Sequence, residues 1–219
     1  MTSKKTALIL DFGGVISRTM FEQHRQTERV LGLPPGTLQW RGPFAPEGDA
    51  LWRRMLAGEI TERDYWRTRA REVGELIGET WNDVVSFVRR VRGDDLDQVL
   101  RPEALDTIRR LKAAGVKLAV LSNELDLFYG RGTSDRIAAL RMMDAIIDAT
   151  HTGILKPDPR AYHEALNALR VEPGEAVFVD DQAVNVQGAE GVGIAAVAFD
   201  VRDPAASFAH VRRHFPQVT

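Results

Sequence analysis

Six polar residues stand at or soon after the ends of short apolar runs, and their types suit one reaction. Asp11 follows residues 7–10, Ser122 and Asn123 follow 116–121, Lys156 lies in the connection after 145–147, and Asp180 and Asp181 follow 176–179. A carboxylate such as Asp11 is a competent covalent nucleophile. Ser122, Asn123 and Lys156 supply a hydroxyl, an amide and an ammonium that can hold an anion. The adjacent Asp180 and Asp181 repel each other if both are ionised and buried, and a bound cation relieves that repulsion. Carboxylate attack on an anionic substrate meets the same obstacle: two unit charges about 4 Å apart, at an effective dielectric near 20, interact by about 4 kcal/mol. Lys156 offsets part of this. Mg²⁺, a hard ion with oxygen ligands, suits Asp11, Asp181 and a backbone carbonyl in the turn at Gly13. Lysine is also scarce: there are 5 against 24 arginines, and Lys156 is the only one after Lys117, so surface filler explains it poorly.

The elements that must position these residues are legible as well. Apolar runs at 7–10, 116–121, 145–147, 176–179 and 194–199 are too short for helices and mostly rich in Val and Ile, as buried strands are. Helical segments separate them: 103–114 follows Pro102 and stops at Gly115, and Asp158-Pro159 and Asp203-Pro204 each place a cap before a first-turn proline. The alternation predicts an α/β fold, a doubly wound parallel sheet with helices on both faces. Ligands of such sheets bind outside the carboxyl ends of the strands, where the six residues fall. Residues 17–100 break the alternation and read as helices at about 19–31, 48–57, 62–73 and 80–92. They form a small helical domain inserted into a core made of 1–16 and 101–219.

Other function classes are excluded by composition. With 29 basic and 31 acidic side chains the net charge is −2, so no field draws the chain to nucleic acid or an anionic membrane. No run approaches the roughly 20 apolar residues of a membrane span, and 7–10 is too short for a secretory segment. The absence of cysteine suits a reducing cytoplasm. Gly191-Val-Gly193-Ile-Ala-Ala196 matches a dinucleotide fingerprint in form, yet it precedes a strand instead of following one. Arg67, Arg69 and Arg71 read as part of a mixed, solvated face, and His24 as a surface or core residue. Oligomeric state is left open.

At the strand-end residues the chain resembles the haloacid dehalogenase superfamily, mostly phosphatases, and in particular the branch with a helical cap inserted after the first motif. Asp11-Phe-Gly-Gly-Val15 is similar to the nucleophile loop and Leu121-Ser122-Asn123 to the second motif. Gly153-Ile-Leu-Lys156-Pro-Asp-Pro159 is similar to the third, and Phe178-Val-Asp180-Asp181-Gln-Ala-Val-Asn185 to the fourth. The resemblance implies a Rossmann-like sheet of order 5-4-1-2-3, with Asp11 forming an aspartyl-phosphate. It implies that Ser122, Asn123 and Lys156 bind the substrate and that Asp11, the Gly13 carbonyl and Asp181 hold Mg²⁺. Asp180 then belongs to the metal's ligands or stands just behind them, and Asn123 and Asn185 support the loops. Gly13 occupies the position where family phosphatases usually carry a second Asp, which protonates the leaving group and later activates water. Some sugar-phosphate phosphatases of the branch look similar in having glycine there. The expected activity is Mg²⁺-dependent hydrolysis of a small phosphate monoester, a sugar phosphate among the candidates. The alternatives are a 2-haloacid dehalogenase, whose halide leaves without a proton, and a non-catalytic relative that binds a phosphorylated ligand. Glu22 and His24 are the next candidates for a missing acid.

Overall fold

Runs of Ala, Val, Ile and Leu form five strands in the computed structural model, which describes residues 4–216. They are β1 (Ala7–Leu10), β2 (Lys117–Ser122), β3 (Ala145–Asp148), β4 (Ala176–Asp180) and β5 (Ala195–Ala198). All pair in parallel, in the order β3-β2-β1-β4-β5, which is the expected order read from the other edge. β1 lies at the centre and every one of its residues is buried, which is why the run shows no polar alternation. Leu10 is level with Val120 on one side and Val179 on the other. Asp11 and Asp180 therefore leave the sheet together.

Between β1 and β2 lie α1 (His24–Leu31), α2 (Ala50–Leu56), α3 (Glu62–Ile77) and α4 (Val84–Arg92), after which α5 (Pro102–Ala113) leads into β2. Next come α6 (Leu125–Tyr129) and α7 (Thr133–Arg136) before β3, then α8 (Ala149–Thr152) and α9 (Pro159–Leu169) before β4. α10 (Ala183–Gly191) joins β4 to β5, and α11 (Pro204–Arg213) follows. α5, α9 and α11 each open on a proline, whose missing N–H would have had no helical partner there. Asp158 and Asp203 accept from the Arg160 and Ala206 N–H groups, as their positions before Pro159 and Pro204 suggest. On one face of the sheet, Ala7 and Ile9 pack with Tyr162, Leu166 and Leu169 of α9 and Ala189 of α10. α5 and α11 pack against each other and against β2 and β5.

The chain divides into two compact units. The first comprises the residues up to Arg18, Leu96–Asp126 and those from Gly130 on; the second comprises Thr19–Asp95 with Leu127–Tyr129. The chain leaves and re-enters the first unit through a short antiparallel neck. Ser17 bridges Leu100, Arg18 N–H donates to the Val99 carbonyl at 2.7 Å, and Arg101 N–H donates to the Ile16 carbonyl at 2.9 Å.

The second unit is built on a charged pair that the sequence did not reveal. Asp49 is 1% exposed and accepts from the Trp52 N–H at 2.9 Å, the Tyr65 hydroxyl at 2.7 Å and Arg69 Nη2 at 2.5 Å. The reading of Arg69 as solvated is therefore corrected: it is buried, with its guanidinium over the Trp40 and Tyr65 rings. Arg67 and Arg71, on the same helix, are exposed. Phe21 gathers the rings of His24, Trp40, Trp52, Tyr65 and Trp66 within 6.1 Å. His24 is buried among them, and burial, aided by Arg41, pushes its pKa down to about 4, so it carries no extra proton near neutrality. Removing one member of a buried ion pair strands the other. Asp49→Ala is expected to cost about 3–5 kcal/mol in chemical denaturation, and a loss below about 1 kcal/mol, the scale of a surface pair, would show that the unit does not depend on the pair.

Candidate active site

Asp11 is the first residue beyond the central strand, anchored by its N–H to the Val179 carbonyl at 2.9 Å. From the connection before α9, Lys156 sends its ammonium between two carboxylates, 2.7 Å from Asp11 Oδ1 and 2.6 Å from Asp180 Oδ2. The Lys156 side chain is 2% exposed. Burial works against its charge, but Asp11 and Asp180 outweigh it and hold the ammonium pKa above the usual lysine value. Asn123, just after β2, fixes the backbone of this lysine with both ends of its amide. Its Oδ1 accepts from Lys156 N–H at 2.7 Å and its Nδ2 donates to the Lys156 carbonyl at 3.1 Å.

The two adjacent aspartates occupy different environments. Asp180 is fully buried, and besides Lys156 it accepts from the Gln182 N–H at 2.9 Å and from Asn185 Nδ2 at 3.1 and 3.2 Å. Tyr162 holds the backbone behind Asn185, donating from its hydroxyl to the Asn185 carbonyl at 2.7 Å. Asp181, one residue on, is half-buried and packs against the backbone of Gly14. A Cβ on Gly14 would stand 2.5 Å from Asp181 Oδ2, and Gly14 has φ +77°, so only glycine fits. Gly13 differs: its φ is −69°, open to any residue, and a Cβ there would meet only Asp11 Oδ2, at 3.8 Å. Ser122 closes β2, buried and level with Asp148, and its Oγ accepts from the Glu124 N–H at 3.4 Å.

Asp11, Asp180 and Asp181 each offer one carboxylate oxygen, and these atoms lie within 4.8 Å of one another. A donor set of oxygens alone, beside exposed Gly13, fits a hard divalent cation better than a softer transition metal. Asp126, Asp148 and His151 form a second such group, which local structure explains. Asp148 caps two helices, accepting from the Leu125, Asp126 and Thr150 N–H groups, and His151 pairs with Asp126 at 2.9 Å. Of the two spare acid candidates, Glu22 accepts from the N–H and hydroxyl of Thr19, both at 2.8 Å, and His24 is the neutral core residue described above. Arg101 escaped the sequence reading: it is 2% exposed, and its Nε donates to the Gly14 carbonyl at 2.9 Å.

Residues 6–193 match the family model for haloacid dehalogenase-like hydrolase. The chain belongs to this family. Among relatives of this hydrolase is phosphatase MT3486 of Mycobacterium tuberculosis, 32% identical over 209 residues that cover 89% of this chain and 87% of the phosphatase. Mouse acyl-CoA dehydrogenase family member 10 is 29% identical over 197 residues, 89% of this chain, but the chain spans only 18% of its length. Proteins named as phosphatases and as (S)-2-haloacid dehalogenases both occur among the relatives. A dehalogenase crystal structure shares the fold, with a TM-score of 0.60 at 22% identity over 91% of this chain and 87% of that one. Among the described residues, no helix is long and apolar enough to cross a membrane.

Without its ammonium, this hydrolase would bury Asp11 against Asp180. Lys156→Ala is expected to cost the metal-free protein about 3–5 kcal/mol at pH 7. Denaturant titration checks this, and a loss below about 1 kcal/mol, the scale of a surface pair, would mean that the two carboxylates do not depend on the ammonium.

Proposed function

We propose that this haloacid dehalogenase-like hydrolase is a Mg²⁺-dependent phosphatase acting on a small phosphate monoester, a sugar phosphate among the candidates. The observation that carries the reading is the trio of carboxylates Asp11, Asp180 and Asp181, whose oxygens lie within 4.8 Å of one another, with the buried Lys156 paired to two of them. A halide-expelling site gains nothing from a surplus of carboxylates, whereas a phosphate site with a cation does.

Asp11, the Gly13 carbonyl and Asp181 would hold the cation, and Asp180, with its oxygens given to Lys156, Gln182 and Asn185, would stand behind them. When bound, Mg²⁺ supplies positive charge against the phosphoryl oxygens. Asp11 uses the carboxylate oxygen turned away from Lys156 to attack phosphorus. The phosphorus–oxygen ester bond breaks and the electron pair leaves with the alcohol oxygen, which takes a proton from solvent or from its own substituents. Water then attacks the phosphorus of the aspartyl-phosphate, releasing inorganic phosphate and returning the Asp11 carboxylate. Ser122 and Asn123 would orient the phosphate while Lys156 offsets its charge. Residues 17–100 would serve as the cap, a source of substrate selectivity.

Phosphate release from a panel of sugar phosphates, nucleotides and small phosphorylated acids, with Mg²⁺ and with chelator, tests the reading beside halide release from 2-haloacids. Release should require Mg²⁺, and Asp11→Asn should abolish it, because an amide is neither a nucleophile of this kind nor an anionic ligand. Halide release that persists in chelator would favour the dehalogenase reading, which the relatives of that name support.

The Gly13 geometry adds a second expectation. With no acid in the turn Phe12–Ile16, the rate should depend steeply on leaving-group pKa: aryl phosphates fast, sugar 1-phosphates intermediate, alkyl phosphates slow. Because φ at Gly13 is −69° and the space is open, Gly13→Asp should fold and raise kcat/KM for alkyl phosphates by up to about 10²-fold. A flat leaving-group series in the parent, with chemistry rate-limiting, would reveal an acid elsewhere.

A further inference from the structure

Two consecutive glycines are the softest backbone a chain can offer, and here they sit where the proposed cation needs a carbonyl held in place. The Gly13 carbonyl belongs to the peptide unit that links Gly13 to Gly14, so its direction is set by ψ of Gly13, at 127°, and φ of Gly14, at +77°. Contacts restrain Gly14 from two sides. Its α-carbon rests against Asp181, as the 2.5 Å approach of a built Cβ to Oδ2 shows, and its own carbonyl accepts from Arg101 Nε at 2.9 Å.

Arg101 is buried, and its Nε holds the Gly14 carbonyl from inside the core. The same guanidinium lies over the Phe199 ring, 5.7 Å from its centre, and Phe199 N–H donates to the Asp180 carbonyl at 2.9 Å. One side chain thereby contacts the turn after β1 and the residue bonded to the end of β4. Its own backbone is fastened at the neck through the Ile16 carbonyl.

We propose that Arg101 is a positioning residue for cation binding: by pinning the Gly14 carbonyl it holds the Gly13–Gly14 turn against Asp181, so that the oxygens of the turn and of Asp181 are presented together. The inference rests on the Mg²⁺ reading of the site, yet it concerns affinity for the ion instead of the reaction. Groups that orient metal ligands without touching the metal commonly govern affinity by 10–100-fold. Arginine has no equivalent here, because lysine keeps the charge but not the planar donor set.

The test is calorimetric titration of Mg²⁺ into the substrate-free wild type, Arg101→Met and Arg101→Lys, with metal-free melting temperatures and the Mg²⁺ dependence of activity alongside. Arg101→Met should bind Mg²⁺ about tenfold or more weakly, and Arg101→Lys should fall between it and the wild type. The Mg²⁺ concentration for half-maximal activity should rise in parallel. A lowered melting temperature with unchanged Mg²⁺ affinity in both variants would overturn the proposal and leave Arg101 a structural brace. If Arg101→Met does not fold, unchanged affinity in Arg101→Lys overturns it alone. A wild type that binds no Mg²⁺ would instead remove the metal reading itself.

Discussion

An ammonium lodged between two carboxylates, nearly cut off from water, dictates most of the arrangement around it. Each ion of the Asp11–Lys156–Asp180 trio would carry a desolvation penalty of several kcal/mol alone, so the three are tolerable only as a unit. The ammonium's distances of 2.7 Å to Asp11 and 2.6 Å to Asp180 must be maintained by the rest of the chain. Asp11 is held by the central strand, Lys156 by both ends of the Asn123 amide, and Asp180 by Asn185 and the Gln182 N–H. The parallel sheet supplies the coarse alignment, and these bonds supply the last ångström.

Much of this was legible in the sequence because strand ends are. Buried parallel strands must be short apolar runs, and a polar residue directly after one has few places to go except the carboxyl edge. That logic singles out Asp11, Ser122, Asn123, Lys156, Asp180 and Asp181, and the structure brings Lys156 into contact with Asp11, Asp180 and Asn123. The same logic treats Asp180 and Asp181 alike, since nothing in two adjacent letters says which one the sheet buries. Nor does the sequence say which of Gly13 and Gly14 the backbone requires to be glycine: Gly13 has an ordinary φ and Gly14 a left-handed one. Arg69 was misjudged because its partner, Asp49, lies in a loop 20 residues upstream, where no helical spacing connects them. Arg101 was hidden among 24 arginines, and only its burial separates it from the others that cover the surface.

Membership of the haloacid dehalogenase-like hydrolases fixes the scaffold and leaves the reaction to the details of the site. Carboxylate attack is common to expelling a halide from carbon and an alcohol from phosphorus; what differs is the charge that must be neutralised around the nucleophile. On the proposed reading, Asp181 and the turn beside it matter more to the choice of chemistry than Asp11 does.

The antiparallel neck at Ser17 and Leu100 turns everything between them into a loop whose ends are already joined. Closing a loop becomes harder only with the logarithm of its length, about 0.6 kcal/mol for each doubling. A sheet that begins with four residues of β1 can therefore carry some eighty residues of foreign structure, or many fewer, at nearly the same thermodynamic cost. That segment can change in length or content while the ionic trio remains undisturbed.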